Sequence, residues 1–285
     1  MSNEYLEKLF SLEGKVAVIS GASGVLGSTI AEGLARAGAK LVIMGRSEEK
    51  LSAVKQRLKV HTSEVITVSC DVLSKPELEK AYKEVTAVFP KIDILINAAG
   101  GASPAASTDH EFYEYDKSGT YSQDIFSMDA EAFRHISDLN FIGSFLPIQI
   151  FGRNLVEHRG GNIINISSMG AEWPLTKSPA YSAGKAAITN YTKWLAVYFG
   201  KANIRVNAIA PGFFLTEQNR FLLTDEASGE LSPRGSKITG KTPQGRFGEP
   251  EELITTALYL LSHKSSFVNG IVVPVDGGFS AYGGV

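Results

Sequence analysis

The residues with the clearest chemical potential are Tyr181 and Lys185, four positions apart, and Ser168, thirteen positions before the tyrosine. If residues 179–199 are helical, an i, i+4 pair projects from one face, so the lysine ammonium can lie beside the phenol. A free tyrosine has a pKa of about 10, and a neighbouring cation favours the phenolate and lowers that pKa. A hydroxyl from another element, Ser168, can then polarise a substrate oxygen. The trio predicts an acid/base site, although such a pair alone is also compatible with a half-buried tyrosine beside a solvated lysine.

The composition is that of an ordinary globular protein, with 285 residues of which 44% are hydrophobic and 20% charged. A net charge of −2 argues against nucleic acid or an anionic membrane as the main partner, so we expect a small-molecule substrate. The single cysteine, Cys70, excludes an internal disulfide, and the five histidines lack metal-ligand spacing, so no metal is predicted. The absence of a targeting segment or a membrane-length apolar run predicts a cytoplasmic protein.

Strand-like apolar runs alternate with stretches of helical periodicity. The predicted strands are 16–19, 40–44, 65–69, 92–96, 162–166, 205–209 and 271–275. The predicted helices are 30–37, 48–58, 75–89, 130–158, 181–199 and 250–261, with a Ser74-x-x-Glu77 capping box and Pro250 in a first turn. Because the strands lack polar alternation, both sheet faces should be covered, which predicts one α/β domain over residues 1–285 with a doubly wound, Rossmann-type parallel sheet of about seven strands. Two irregular, substrate-side segments, 101–128 and 212–248, interrupt this pattern.

A glycine-rich loop follows the first strand and opens the first helix. Glycines there leave room for a dinucleotide pyrophosphate to approach the free N–H groups of the helix N-terminus. The cofactor residues predicted from this loop are Gly21, Ser23, Gly24, Val25, Leu26 and Gly27. The second strand ends at Arg46 without the acid that would bind the ribose 2′-hydroxyl of NAD, whereas an arginine can pair with a 2′-phosphate. The expected cofactor is therefore NADP or NAD, with NADP slightly favoured.

Several further motifs accompany these residues: Asn97-Ala-Ala-Gly100, Asn140, Pro211-Gly212 and Val275-Asp-Gly-Gly278. Together they resemble the compact, single-domain short-chain dehydrogenase/reductases, from about residue 12 to the C-terminus. The resemblance implies that Tyr181 exchanges the proton, that Lys185 lowers the tyrosine pKa and binds the nicotinamide ribose, and that Ser168 orients the carbonyl. It also implies that Asn140 holds a water for the proton relay.

The resemblance implies cofactor contacts beyond the glycine loop, from Asp71, Val72, Asn97, Ala98, Ala99, Gly100, Pro211, Gly212, Phe214 and Thr216 together with Tyr181 and Lys185. It also implies a homo-oligomer, commonly a tetramer built through the long helices. One departure is the glycine spacing, because Val25 stands where compact members have a glycine. That spacing is commoner in epimerase-like relatives, so an epimerase remains an alternative, as does a dinucleotide sensor without catalysis.

The glycine loop, residues 207–220 and residues 275–285 resemble the D-mannonate oxidoreductases (fructuronate reductases) of the short-chain type. The resemblance implies hydride transfer at a ketone or secondary alcohol of a sugar acid, interconverting D-fructuronate and D-mannonate. Because pocket loops and not the fold set the substrate, activities like gluconate 5-dehydrogenase or 3-oxoacyl reductase remain open.

The candidate substrate residues lie near the irregular segments. Arg220 is the predicted anchor for a substrate carboxylate, in a stretch that also carries Arg234, Lys237 and Lys241. Glu172 and Trp173 should border the pocket because they closely follow Ser168. Segment 101–128 is predicted to bind sugar hydroxyls, or else to be a surface insertion or subunit contact, and its polar and aromatic residues include His110, Glu111, Tyr113, Tyr115, Asp116 and Lys117.

Overall fold

The computed structural model describes residues 3–115, 119–216, 219–225 and 228–284. Within these ranges a seven-stranded parallel sheet has the order β3-β2-β1-β4-β5-β6-β7. The strands are β1 Val16–Ser20, β2 Lys40–Gly45, β3 Val65–Ser69, β4 Ile94–Asn97, β5 Gly161–Ile166, β6 Ile204–Pro211 and β7 Val272–Val275. The described helices are α1 Asn3–Phe10, α2 Val25–Arg36, α3 Glu48–Leu58, α4 Lys75–Val88, α5 Ala130–Glu157, α6 Pro179–Tyr198, α7 Arg220–Leu223, α8 Pro233–Lys241 and α9 Glu252–Leu261. The predicted doubly wound α/β fold is confirmed.

The central strands have both faces buried, which explains their continuous apolar sequences. Successive side chains of a strand point to opposite faces, so Ala17 and Ile19 join one core while Val16 and Val18 join the other. The first core packs side chains from α2, α3 and α9, and the second packs side chains from α4, α5 and α6. Helix layers on both faces leave the carboxyl edge of the sheet as the place for a site.

Three local predictions differ from the structure. Helix α2 begins at Val25, before the predicted residue 30, because Gly24 takes the extended N-cap conformation directly after the loop. Helix α9 begins at Glu252, so Pro250 lies in the preceding turn instead of the first helical turn. Helices α1, α7 and α8 were not predicted, and the last two lie in a stretch where glycine, serine and proline obscure the helical period.

The predicted capping box before α4 is only half formed. Ser74 accepts a hydrogen bond from the Glu77 N–H at 3.4 Å. The Glu77 carboxylate does not return to Ser74 but accepts a 2.8 Å bond from the backbone N–H of Asp71. The glutamate therefore braces the turn that follows β3 at the carboxyl edge.

The described residues of segment 101–128 form turns and a short 3-10 helix, Pro104–Ala106, between β4 and α5. Asp109 organises it by accepting hydrogen bonds from the Ser122 hydroxyl at 2.5 Å and the Gln123 N–H at 2.7 Å. Tyr113 lies among the rings of Tyr121 and Phe126, at centroid distances of 5.5 and 5.8 Å. The predicted residues Asp116 and Lys117 lie outside the described residues.

Candidate active site

The end of β5 and the start of α6 bring three predicted catalytic residues together. Tyr181 is the third residue of α6 and Lys185 lies one turn later, with its Nζ atom 5.7 Å from the centre of the tyrosine ring. The Lys185 Nζ also donates a 2.7 Å hydrogen bond to the carbonyl of Ile166, the last residue of β5. The Ser168 hydroxyl lies close enough to the Tyr181 phenol to lower its pKa. The predicted i, i+4 arrangement is therefore present.

Burial sets the protonation of this group. It raises the pKa of Tyr181 above its ordinary value of 10.0, and the Ser168 hydroxyl only partly opposes that shift. Burial also lowers the pKa of Lys185 to about 8, since its side chain is almost wholly enclosed. The net direction for Tyr181 is opposite to the predicted one, because desolvation outweighs the hydrogen bond with Ser168. At neutral pH the phenol consequently carries the proton that ketone reduction requires.

Asn140 lies inside α5 and connects that helix to the start of segment 101–128. Its amide group donates to the Gly101 carbonyl at 2.7 Å and accepts from the Gly101 N–H at 3.2 Å. A β-carbon at Gly100 would come within 2.8 Å of the Asn140 Oδ1 and 3.0 Å of the Lys185 Nζ. A β-carbon at Gly184 would lie 2.8 Å from the Asn140 Cβ, so α5 and α6 meet closely here. Asn140 is thus part of the site, and its water-holding role stays a prediction.

A cleft of about 230 Å³ lies at the carboxyl ends of β1, β2, β3 and β4, where the strand order reverses. Nine predicted cofactor residues line it: Gly21, Ser23, Gly24, Arg46, Asp71, Val72, Ala98, Ala99 and Gly100. Four further residues line the cleft but were not predicted from the sequence: Gly45, Lys50, Cys70 and Leu139. Lys50 is the third residue of α3 and follows Arg46 by four positions, so its place beside the predicted arginine was the signal available for one of them. Burial raises the pKa of the Cys70 thiol to about 12, so it stays neutral.

The glycine loop fits a dinucleotide. Gly21 has a φ of +68°, and a β-carbon on it would lie 2.5 Å from the backbone of Ala98. A β-carbon on Gly27 would lie 2.5 Å from the Gly21 carbonyl oxygen, whereas Gly24 meets nothing closer than 3.4 Å. Gly24 therefore leaves space toward the cleft at the N-terminus of α2, where free N–H groups suit a phosphate. Val25 is the first helical residue, so the unusual spacing places its side chain where helical backbone accepts one.

The other predicted cofactor residues lie around the cleft or at the carboxyl edge. Val25, Leu26 and Gly27 form the first turn of α2. Asn97 is fully buried beneath the cleft, donating a 2.8 Å bond to Asn165 that ties β4 to β5. Its Oδ1 atom has no hydrogen-bond partner among the described residues. Asn97 therefore stabilises the strands beneath the cleft but does not itself line the cleft.

The predicted nicotinamide segment leaves β6 at the same edge of the sheet. Residue 212 must be a glycine because the backbone of Asp276 lies close to it: a β-carbon added to Gly212 would lie 2.6 Å from the Asp276 Cα. The Phe214 ring packs on Gly248 and is buried, and the Thr216 N–H donates a 2.8 Å bond to the Asn219 side chain. Pro211 is the last residue of β6. Asn219, which also donates to the Phe214 carbonyl at 2.8 Å, braces this segment and was missed because a lone asparagine carries no spacing signal.

The predicted substrate residues are less closely gathered. Glu172 is exposed, Trp173 is 53% exposed, and Arg220 is an exposed residue that begins α7. A cavity of about 220 Å³ lies between segment 101–128 and the start of α6, and it is lined by Thr108, His110, Glu111, Phe112, Tyr113, Tyr121, Gln123, Asp124, Ile125, Thr176 and Pro179. Tyr115, by contrast, is 89% exposed.

Neither a metal-binding cluster nor a membrane span is found in the part of the chain that the structure describes. No three His, Cys, Asp or Glu side chains of these residues are grouped to hold a metal ion. None of the helices formed by the same residues is long and apolar enough to cross a membrane.

Comparison with known proteins places this site in a family. The sequence profile described as enoyl-(acyl carrier protein) reductase matches residues 21–280. The uncharacterized oxidoreductase UxuB of Bacillus subtilis is 48% identical over 276 residues, which cover 96% of this chain and 98% of that protein.

Two solved structures are similar along their whole length. A candidate D-mannonate oxidoreductase from Haemophilus influenzae with bound NAD is 44% identical, with a TM-score of 0.92 and coverage of 98% of this chain and 100% of that chain. A gluconate 5-dehydrogenase from Burkholderia cenocepacia, in complex with NADP and tartrate, is 30% identical, with a TM-score of 0.83 and coverage of 97% and 99%. With the nucleotide cleft and the Ser168–Tyr181–Lys185 group in place, this chain belongs to the short-chain dehydrogenase/reductase family, as an oxidoreductase that acts on CH–OH groups with NAD or NADP.

Proposed function

We propose that this enzyme interconverts D-fructuronate and D-mannonate. The observation that carries the proposal is the full-length likeness, at 44% identity, to a candidate D-mannonate oxidoreductase. The cavity beside the start of α6 supports it, because hydroxyl, imidazole, amide and carboxylate groups line it next to aromatic rings. Such a lining suits a small substrate with many hydroxyl groups.

Each residue of the site has a separate role in ketone reduction. When bound, the nicotinamide supplies the hydride. The Ser168 hydroxyl holds the carbonyl oxygen of the substrate by a hydrogen bond beside the phenol. Tyr181 donates its proton to that oxygen as negative charge develops. The ammonium of Lys185, anchored on the Ile166 carbonyl, stabilises the phenolate that remains.

The decisive experiment compares ketone substrates by the oxidation of NADH and NADPH. D-fructuronate should give the highest kcat/KM among D-fructuronate, 5-ketogluconate and an acetoacetyl thioester. A preference for 5-ketogluconate would identify a gluconate-type enzyme, and a preference for the thioester a 3-oxoacyl reductase. Product formation without a net change in cofactor absorbance would identify an epimerase, and cofactor binding without turnover a sensor.

We infer a modest preference for NADP over NAD. Arg46 and Lys50 both line the cleft, and β2 ends without an acid for the ribose 2′-hydroxyl. Replacing Arg46 by alanine should raise the KM for NADPH roughly tenfold, the effect of one charge-assisted hydrogen bond, while the KM for NADH changes little. Arg57→Ala, which removes an exposed arginine from α3, is the matched control. Equal losses with both cofactors would contradict the inference.

We further propose a cytoplasmic homotetramer. The support for the oligomer is an aromatic row on α6, in which the exposed Trp194 stacks on the partly buried Tyr191 at 5.7 Å and on the exposed Tyr198 at 4.8 Å. Exposed apolar patches of this kind mark contacts between proteins. The single, buried and neutral Cys70 suits a reducing compartment.

A further inference from the structure

An ion pair joins the two irregular segments. Segment 101–128 follows β4 and segment 212–248 follows β6, and these strands flank β5 in the sheet. Glu111 in the first segment pairs with Lys237 on α8 in the second. Ser168 closely follows β5, so the pair links the segments that follow the two strands on either side of the strand leading to Ser168.

Glu111 lies in a cluster of cations. Lys237 is its hydrogen-bond partner, and the charges of Lys237, Lys177 and Lys241 all help to lower the pKa of its carboxyl group. Lys177 is held in turn by a 2.5 Å hydrogen bond to the Asp109 carbonyl, within segment 101–128. Lys237 contacts the Glu111 carboxylate, and the charges of Lys177 and Lys241 also act on it, so more than one positive charge is available to attract a second carboxylate.

Among the residues of the cluster, Glu111 alone lines a cavity of substrate size, and Asp124 adds a second carboxylate to that lining. Glu111 lines the 220 Å³ cavity together with Thr176 and Pro179, and Pro179 lies two residues before the catalytic tyrosine on α6. The Lys237 side chain is 51% exposed and that of Glu111 is 26% exposed, so a ligand can reach the pair.

Helix α8 belongs to a small unit with a core of its own. Ile238 packs with Leu223 and Phe247 in an apolar cluster separate from the two cores of the sheet. The Glu111–Lys237 pair therefore joins this unit to segment 101–128.

We propose that Lys237 receives the carboxylate of the sugar-acid substrate, and that Glu111 is a resident carboxylate that holds Lys237 until the substrate displaces it. The proposal rests on the proposed sugar-acid activity. One ion pair replaces another during this exchange, so Lys237 has an anionic partner before and after substrate binding. Lys237, instead of the exposed Arg220, then sets the preference for acids over neutral ketones.

The test uses the keto acid and its methyl ester, which differ only in the negative charge. Lys237→Met should raise the KM for the acid roughly tenfold to a hundredfold, as expected for a lost charge-assisted hydrogen bond, and should leave kinetics with the ester nearly unchanged. Glu111→Gln should lower the KM for the acid because it removes the competing carboxylate. Arg234→Met is the control, since it removes a positive charge from the same helix and should change neither KM.

If the Glu111–Lys237 ion pair only stabilises the structure, the variants should give a different pattern of KM values. In that case Glu111→Gln and Lys237→Met would both raise the KM, and the exchanged pair Glu111→Lys with Lys237→Glu would restore it, which would overturn the proposal. Should Lys237→Met fail to fold by circular dichroism, the direction of the Glu111→Gln effect decides alone. If the wild-type enzyme reduces no sugar acid, the proposed function fails with this inference. If it reduces one and Lys237→Met keeps the wild-type KM, only this inference fails.

Discussion

At the scale of single residues, the environment of Tyr181 and Lys185 decides their chemistry more than their spacing does. The spacing predicts a phenol whose pKa is lowered by the neighbouring ammonium. The structure shows both groups desolvated, so the tyrosine pKa is raised and the lysine pKa is lowered to about 8. A neutral phenol is a better proton donor to a ketone than a group already ionised, so the free enzyme is prepared for reduction.

Removing the Tyr181 hydroxyl tests its role as the proton donor. Tyr181→Phe should lower kcat for ketone reduction by about two to four orders of magnitude, the usual contribution of general acid catalysis. The dissociation constant for the cofactor, measured by fluorescence titration, should stay within about twofold because the aromatic ring is kept. Substantial remaining turnover would contradict the assigned role.

The pKa of Lys185 predicts the alkaline limb of the pH profile. Its folded value of about 8 lies below the ordinary 10.5, so the ammonium is present below about pH 8 and is lost as the pH rises further. Steady-state reduction measured from about pH 6 to 10 should therefore show kcat/KM falling above about pH 8. In Lys185→Arg, whose guanidinium stays charged, the residual activity should lose that limb. A limb at the same pH in both enzymes would assign it to another group.

At the scale of elements, the strands and most helices could be predicted, while their ends and their contacts could not. A strand that is buried on both faces has an unbroken run of apolar residues, and such a run can be recognised in the local sequence. The N-terminus of α2 was misplaced because the glycines of the loop lower helical propensity while serving the cofactor. The hydrogen bond between Asn97 and Asn165 joins residues 68 positions apart, so no local sequence pattern predicts it.

The opposite edge of the sheet offers a test of element packing. The Asp93 carboxylate accepts a 3.1 Å bond from the Val16 N–H and pairs with Lys91 at 3.0 Å and Lys15 at 3.3 Å. Burial raises the pKa of this carboxyl, but the bond from Lys91, the Val16 N–H and the two positive charges outweigh burial and leave the pKa below its ordinary value. Because the folded pKa is depressed, the stabilisation is present above about pH 4 and is lost as the pH falls through the folded pKa.

We expect Asp93→Asn to lower the free energy of unfolding by about 1–3 kcal/mol at neutral pH. The difference from the wild type should shrink below about pH 4. Urea unfolding followed by circular dichroism at both pH values measures it, with Glu131→Gln on the exposed surface of α5 as the control. A difference that is independent of pH would show that the carboxylate charge is not responsible.

At the scale of the whole molecule, the chain presents an aromatic face that its own fold leaves uncovered. Trp194, Val197 and Tyr198 on α6 are 52%, 83% and 66% exposed. Apolar area of this extent is costly in water and is covered in stable assemblies. The Glu111–Lys237 ion pair joins the segments that follow β4 and β6, whereas this aromatic face lies near the end of α6, so the proposed assembly and substrate-binding residues belong to different elements.

The proposed tetramer predicts the effect of a charge on this face. Val197→Glu should convert the wild-type tetramer into smaller species in sedimentation velocity, because an unpaired buried carboxylate opposes association. Val88→Glu, at an exposed position on α4, should leave the assembly unchanged. A wild-type monomer, or a Val197→Glu tetramer, would refute the proposed interface.

The sequence by itself determined the fold class and the glycine-rich loop and predicted that Ser168, Tyr181 and Lys185 share one site, since apolar period, glycine placement and an i, i+4 spacing are local properties of the chain. Tertiary structure alone decided the direction of the Tyr181 pKa, because desolvation depends on every element that packs around the phenol. It alone also showed that Asn97 supports the cleft from below and that Glu111 meets Lys237 across 126 residues. Pairings between distant segments follow from the sheet order, which brings β4 and β6 to either side of β5 and carries no trace in the local sequence.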